Sequence, residues 1–217
     1  MNTNRKKIII FIALVMVVAF AGIGSYYWYK NSYYISTEDA KVMGDLVNVS
    51  PQISGKLLEL NVSEGDTVVK DQILGRQGIS NPSETNIDQS VFRAPINGIV
   101  IKKQGTVGEI VSPGQTLAMI IDPNKLYITA NIEETKLLKI RLGQQVDITI
   151  DQFPNKSFSG KVKYVGLASN STFALLPSST SGTFTKVIQK VPVKIEFDKS
   201  EATLLPGTNA VVKIHIK

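Results

Sequence analysis

The chain contains no cysteine. Disulfides, thiolate metal sites and cysteine nucleophiles are therefore excluded, and so is a lipoprotein anchor attached through cysteine. Histidine is nearly as scarce. The only one, His215, lies in VVKIHIK, where Val212, Ile214 and Ile216 alternate with Val211, Lys213 and His215. That period places it on the solvent face of a strand, with no second histidine to share a metal. Carboxylates are scattered, with no pair inside an apolar stretch, so general acid–base chemistry finds no support. The sequence offers no catalytic residue, no metal ligand set and no cofactor site, and reads as a non-enzyme.

A concentrated basic surface is also missing. The net charge is +6, but Arg5, Lys6 and Lys7 supply much of it at the extreme N-terminus, and the rest is close to balanced. No basic stripe interleaved with aromatics follows, which argues against nucleic acid as a partner.

What is present begins with a membrane-like segment. Ile8 to Tyr29 reads IIIFIALVMVVAFAGIGSYYWY, twenty-two residues without a charge. As a helix it would be about 33 Å long, against a hydrocarbon core of ~30 Å. The basic residues before it and the Tyr26-Tyr27-Trp28-Tyr29 cluster closing it predict a single-pass anchor in the cytoplasmic membrane. Its N-terminus is expected inside, and residues 30–217 outside the cytoplasm. The competing reading is a cleavable signal, since Ala19-Phe20-Ala21 fits a small-x-small pattern. The apolar run continues to Ile23 and aromatic anchors follow, which favours retention.

The exported part alternates. Leu58, Leu60 and Val62 oppose Glu59 and Asn61; Leu126, Ile128, Ala130 and Ile132 oppose Tyr127, Thr129 and Asn131. Val146, Ile148 and Ile150 form a third such set, and Val191, Val193, Ile195 and Phe197 a fourth. This period marks antiparallel sheet with one wet face. Pro192 lacks a backbone donor, so its strand is expected at an edge or to begin there. One helix of about eleven residues is predicted, capped at Asn131 with Glu134 as its capping-box partner. Leu137, Leu138, Ile140 and Leu142 give it an apolar side, and Gly143 ends it. It reads as a plug or cover for a small barrel, its lysines and glutamates as a solvated face.

The most informative feature is a duplication. QISGKLLELNVSEGDTVVKDQIL, Gln52 to Leu74, returns as INGIVIKKQGTVGEIVSPGQTL, Ile96 to Leu117. The matches Ile53/Ile96, Gly55/Gly98, Gly65/Gly108, Val68/Val111, Gln72/Gln115 and Leu74/Leu117 share one offset, and Glu109 echoes Asp66. Each copy reads as a short strand, a turn at Gly55 or Gly98, a second strand, and a tight turn at Gly65 or Gly108. Glycine at such turns admits positive φ. A unit of ~30 residues cannot bury a core alone, so the copies are expected to interlock as a flattened barrel with pseudo-twofold symmetry. That is the plan of biotinyl and lipoyl carrier domains. A carrier needs a lysine at the hairpin joining its halves, and the joint here, QGISNPSETNIDQ from Gln77 to Gln89, has none. The swinging-arm reading lacks its amine.

STEDAKVMGDLVNVSPQISGKLLELNVSEGDTVVKDQIL resembles the HlyD-type membrane fusion proteins, or periplasmic adaptors. The second part, with Ala130-Asn131, Glu134-Thr135-x-Leu137, Gly143-Gln144, Phe173-x-Leu175-Leu176-Pro177 and Lys186-Val187-x-Gln189-x-Val191-Pro192-Val193, is similar to the EmrA-like multidrug efflux branch. The resemblance implies a mainly β protein: a cytoplasmic basic tail (1–7), a transmembrane helix (8–29), then a linker and first barrel strand (30–46). A lipoyl-like, barrel-sandwich hybrid domain would follow (47–121, halves 47–76 and 91–121, short joint 77–90), then a small β-barrel domain with one short helix (122–217). It also implies a polytopic transporter as partner, usually of the major facilitator superfamily, and ring-like homo-oligomers as a further possibility.

The chain departs from the family at the joint. Most members insert a long helical hairpin there. Thirteen residues broken by Gly78, Ser80, Asn81 and Pro82 leave room for none. Fully extended and folded back they reach about 20 Å, and two antiparallel helices of about six residues each would be ~9 Å long. An envelope with no outer membrane to bridge, as in a Gram-positive cell, fits this departure. The candidate contact region is SNSTFALLPSSTSGTFTK, Ser169 to Lys186, polar apart from Phe173, Leu175, Leu176, Thr183 and Phe184. A long loop in a compact barrel is often functional. Contact with a transporter, a second subunit or an amphipathic drug stands against a flap packed on the barrel. The turns at Gly65 and Gly108 stand as oligomer contacts or as backbone geometry alone. A stand-alone extracytoplasmic binding or sensor module on the same scaffold is the other functional reading.

Overall fold

The computed structural model describes residues 3–78, 84–173, 188–198 and 204–216, with side chains omitted at 3–10, 13, 27–31, 84–86 and 173. Helix α1 (Thr3–Tyr33) covers the apolar run and passes directly into β1 (Tyr34–Met43). Its described side chains from Phe11 to Tyr26 are exposed. Among the described residues, no helix is long and apolar enough to cross a membrane.

The strands that follow are β2 (Leu46–Val49), β3 (Gly55–Leu60), β4 (Thr67–Val68) and β5 (Ile73–Gln77). After the short helix α2 (Glu84–Gln89) come β6 (Val91–Arg93), β7 (Gly98–Lys103), β8 (Ile110–Val111) and β9 (Ala118–Ile121). The last part holds β10 (Tyr127–Glu133), the single helical turn α3 (Glu134–Leu137), β11 (Gln145–Ile150), β12 (Ser157–Val165), β13 (Lys190–Phe197) and β14 (Asn209–His215). Contacts divide the chain into two compact units. One holds Met1–Lys41, Ile128–Ser200 and Asn209–Lys217, the other Val42–Tyr127 and Glu201–Thr208.

The second unit is a sandwich of two four-stranded sheets, ordered β2-β9-β7-β4 and β6-β5-β3-β8. Exchanging the two sequence copies turns one order into the other, because β2, β3, β4 and β5 correspond to β6, β7, β8 and β9. Each copy therefore lends two strands, β2 and β4 or β6 and β8, to the flanks of the other copy's central pair. The exchange is visible bond by bond. The Gly65 amide donates to Val100 O (2.8 Å) and the Val100 amide to Asp66 O (2.9 Å). In the other direction Gly108 donates to Leu57 O (2.7 Å) and Leu57 to Glu109 O (2.8 Å). The core is shared in the same way, with Leu57 and Val100, Val68 and Val111, and Leu74 and Leu117 buried together. At ~1.5–3 kcal/mol for each large apolar side chain, neither half could bury enough surface without the other.

The first unit is a closed barrel in the order β1-β10-β13-β12-β11-β14. The alternations in β10, β11 and β13 point Ile128, Ala130, Ile132, Val146, Ile148, Ile150, Val193 and Ile195 inward. His215 is half-exposed, shares a hydrogen bond with Asp147 (2.8 Å) and meets Tyr34 edge-on.

Three expectations need correction. In β3 the buried residues are Leu57 and Leu60, while Leu58 is 45% exposed. The register to β5 shifts between Leu57 and Glu59, and that bulge breaks the period. The eleven-residue helix is one turn only. Asn131 lies in β10 rather than at a cap, Glu133 takes the cap position without a side-chain bond, and Leu138 and Leu142 face solvent. Only Ile140 fills the core, and Gly143, at φ 81°, does end the segment. Finally, Pro192 is not at an edge, because the barrel closes. Its strand starts at Lys190, and pairing to β12 runs from Val193↔Val165, so the missing donor falls just outside the ladder.

Candidate functional site

Of the contact residues expected from sequence, Leu175, Leu176 and Phe184 lie outside the described residues. Phe173 closes a 3-10 turn, Asn170–Phe173, that follows β12. What the structure does bring together is the ground on which that region stands. Asp39, on β1, accepts from Asn131 Nδ2 through Oδ1 (2.9 Å) and from Lys190 Nζ through Oδ2 (2.7 Å). Asn131 Oδ1 in turn accepts from Asn170 Nδ2 (2.8 Å). Thr37 donates to the Asn131 carbonyl and receives the Asp39 amide. The residue that opens the 3-10 turn and the first residue of β13 are thus tied to one carboxylate. The Lys190 and Asn131 hydrogen bonds hold the Asp39 carboxyl below the ordinary carboxylate range.

This cluster was not singled out in the sequence, where Asn131 reads as a helix cap. The signal for it is weak: Thr37 and Asp39 share one face of β1, and the register shifts between Thr37 and Ala40.

The four glycines fall into two kinds. Gly65 (φ 94°) and Gly108 (φ 98°) occupy the left-handed region, as the turns require. Gly55 and Gly98 do not. They open β3 and β7 where an added Cβ would collide with the carbonyl oxygens of Gly78 and Ile121 respectively. Their requirement is close backbone approach rather than positive φ.

The repeated glutamines close the second turn of each copy. Gln72 Oε1 accepts from the Val69 amide (2.9 Å) and Gln115 Oε1 from the Ser112 amide (3.2 Å). Inside these turns Asp71 (φ 67°) stands where the second copy has Gly114 (φ 85°). An L-residue there costs about 1–2 kcal/mol, least for Asp and Asn. Gly114→Val is therefore expected to lower stability by about 1–2 kcal/mol, and Asp71→Gly to leave it within about 1 kcal/mol of wild type. Denaturant melts of the two variants followed by circular dichroism check both.

At the joint, α2 and β6 line a small depression of about 250 Å³ with Asn48, Ser50, Gln52, Asp88 and Arg93. Among the described residues no cluster of three His, Asp or Glu side chains is placed to hold a metal.

Residues 45–123 match the barrel-sandwich hybrid domain of RND membrane fusion proteins, and residues 126–214 match the YknX-like beta-barrel domain. The chain is 39% identical over 215 residues to the putative efflux system component YhbJ of Bacillus subtilis, covering 99% of this chain and 94% of that protein. It is 35% identical over 136 residues to the multidrug export protein EmrA of Haemophilus influenzae, covering 60% of this chain but only 35% of that protein. Among solved structures it is similar in fold to the periplasmic adaptor protein EmrA, with a TM-score of 0.57, 15% identity, and coverage of 84% of this chain and 98% of that one.

Proposed function

The chain belongs to the membrane fusion protein family of efflux adaptors, in its EmrA-like branch, and from that membership we propose that it is the adaptor subunit of a multidrug or small-molecule efflux system. It works with a polytopic transporter of the cytoplasmic membrane, of the major facilitator class, and carries out no chemistry itself. Residues 8–29 anchor it, with the N-terminus inside and both β units outside. The observation that carries this reading is the likeness along almost the whole chain to an efflux system component of a Bacillus. The compact joint adds to it. Its only described element is the six-residue helix α2, too short to reach a distant duct, which suits an envelope with a single membrane.

Purification of the tagged full-length protein in mild detergent tests the reading. A polytopic transporter should co-purify in fixed proportion; recovery of the adaptor alone would favour a stand-alone sensor. Within the adaptor, the stretch around Phe173, Leu175, Leu176 and Phe184 is proposed to contact transporter or drug. Phe173→Ser combined with Phe184→Ser should reduce drug efflux from whole cells while leaving the melting temperature unchanged. Wild-type efflux from the stable double variant would remove that contact.

A further inference from the structure

The turn that was expected to cover the barrel turns its leucines outward instead. Leu138 is 83% exposed and Leu142 68%, while Ile140 between them takes the core position. This outward pose is built in. Arg141 Nη1 donates to the Leu138 carbonyl (3.0 Å), Gln144 Nε2 donates to the Lys139 carbonyl (3.1 Å), and Gly143 reverses the chain at φ 81°. Leu138 and Leu142 are thus fixed on a braced turn, each with a cation at its side.

The position of this turn identifies what it faces. Leu138, Lys139, Arg141 and Gln144 line one shallow depression of about 490 Å³ with Ser32 and Ile216. Ser32 is in the last turn of α1, and the Ile216 amide donates to the Tyr33 carbonyl (3.0 Å). The depression therefore lies where the apolar helix ends and the barrel begins. Among the described residues no carboxylate side chain lines it. Glu133 is engaged nearby with Lys136 at 2.9 Å, leaving Lys139 and Arg141 as the cations beside the leucines.

Two exposed leucines flanked by cations suit a boundary that is apolar below and anionic above. We infer that the turn Leu138–Leu142 and the depression beside it bind the outer surface of the membrane. Leu138 and Leu142 enter the headgroup layer, and Lys139 and Arg141 hold anionic phospholipid phosphates. This rests on the anchoring of residues 8–29 proposed above. Its consequence is that the barrel is held in a fixed orientation at the bilayer instead of swinging on α1. Cationic side chains near an anionic surface gain from its potential, while their aliphatic stems cover apolar surface.

The absence of cysteine makes a direct test simple. Full-length Leu138→Cys and Leu142→Cys proteins, each labelled with an environment-sensitive fluorophore, are placed in nanodiscs of phosphatidylcholine alone or with phosphatidylglycerol. Gly22→Cys in α1 serves as the anchor control, since nothing approaches within 4 Å of that position. Both turn labels should shift to the blue and be quenched by headgroup-proximal spin-labelled lipid, more strongly with phosphatidylglycerol. Adding Lys139→Glu and Arg141→Glu should reduce the inserted fraction by about tenfold. Turn labels in water in both lipids, with Gly22 in lipid, overturn the proposal alone. Turn labels shielded only after a transporter is added overturn it in favour of a protein contact. Insertion indifferent to phosphatidylglycerol and to the charge reversals overturns the headgroup site. A Gly22 label in water overturns the anchor and this proposal with it.

Discussion

Valine at position 98 is expected to destabilise the sandwich unit by about 3 kcal/mol. Gly98 opens β7, where it pairs with Val68 of β4, and an added Cβ would collide with the Ile121 carbonyl oxygen. It would also lie 2.8 Å from Ile120 Cγ2 and 2.9 Å from the Ile121 carbonyl carbon. These neighbours cannot give way cheaply. Ile121 is paired on both sides, to Leu46 of β2 and Ile99 of β7, and Ile120 is fully buried. Overpacking a core typically costs ~1–3 kcal/mol, and a clash with paired backbone belongs at or above the upper end. A loss of about 3 kcal/mol is a large share of a domain's total stability. The equivalent variant Gly55→Val meets the Gly78 carbonyl oxygen and should behave alike.

The comparison that gives this test its force is Gly65→Ala and Gly108→Ala. Among the described residues nothing beyond the chain neighbours lies within 4 Å of either added Cβ, so only the positive φ resists, at about 1 kcal/mol. Denaturant midpoints of the full-length variants should therefore fall into two classes, with Gly55 and Gly98 far below Gly65 and Gly108. If Gly98→Val melted with the wild type, the close approach of β7 to β9 would not be a constraint on the fold.

Those two classes also show where sequence reasoning reaches and where it stops. The duplication was legible because it is a matter of spacing, and spacing survives folding. Each matched pair lands at an equivalent place in the two copies: Gly55 and Gly98 open β3 and β7, Gly65 and Gly108 turn at positive φ, and Val68 and Val111 end β4 and β8. The reason for a glycine was less legible. A turn that needs positive φ and a strand that needs room for a passing carbonyl leave the same letter. The barrel strands could be read from their alternation, since an inward-facing Ile or Val at every second position has one physical explanation. Leu58 escaped that reading because a bulge shifts the register by one residue, and no single residue in LLEL announces it.

The regions proposed to make contacts were harder. Leu137, Leu138, Ile140 and Leu142 have a spacing that suits a helix with a buried face, and the pattern is not wrong about hydrophobicity. It does not say that the chain takes a single turn and then reverses at Gly143, leaving Leu138 and Leu142 in solvent. Asn131 raised the opposite problem. A residue type suited to capping was present at a plausible place, but tertiary pairing between β10 and the rest of the barrel took precedence over local preference. Its partners Asp39 and Asn170, and Lys190 on the other oxygen of the Asp39 carboxylate, are far apart in sequence, and charge complementarity over such distances cannot be read from one chain.

That same cluster yields the second large effect. Asp39→Ala is expected to lower stability by about 1–2 kcal/mol, because it removes the acceptor for two hydrogen bonds, one of them charge-assisted. The figure is held down by exposure, since the Lys190 and Asp39 side chains are 47% and 40% accessible. The loss falls on Asn131 and Lys190, and through Asn131 on Asn170, so both flanks of the stretch between the 3-10 turn and β13 lose their tether. Drug efflux is accordingly expected to fall further for Asp39→Ala than for a surface variant of equal stability such as Lys163→Ala, whose lysine pairs with Glu196 at 3.0 Å. The pH dependence separates the electrostatic part from simple loss of packing. Asp39 titrates below its ordinary value in the folded protein, chiefly through Lys190 and then Asn131. Its contribution is therefore fully present above the unfolded-state value of about 4 and is lost as pH falls through the lower, folded-state value. Asp39→Asn, which resembles the protonated side chain, should melt below the wild type at neutral pH, and the gap should close progressively as the pH drops below about 4. A gap that stays constant down to the acid limit would mean that the carboxylate's charge contributes nothing, and that the cluster is held by shape alone.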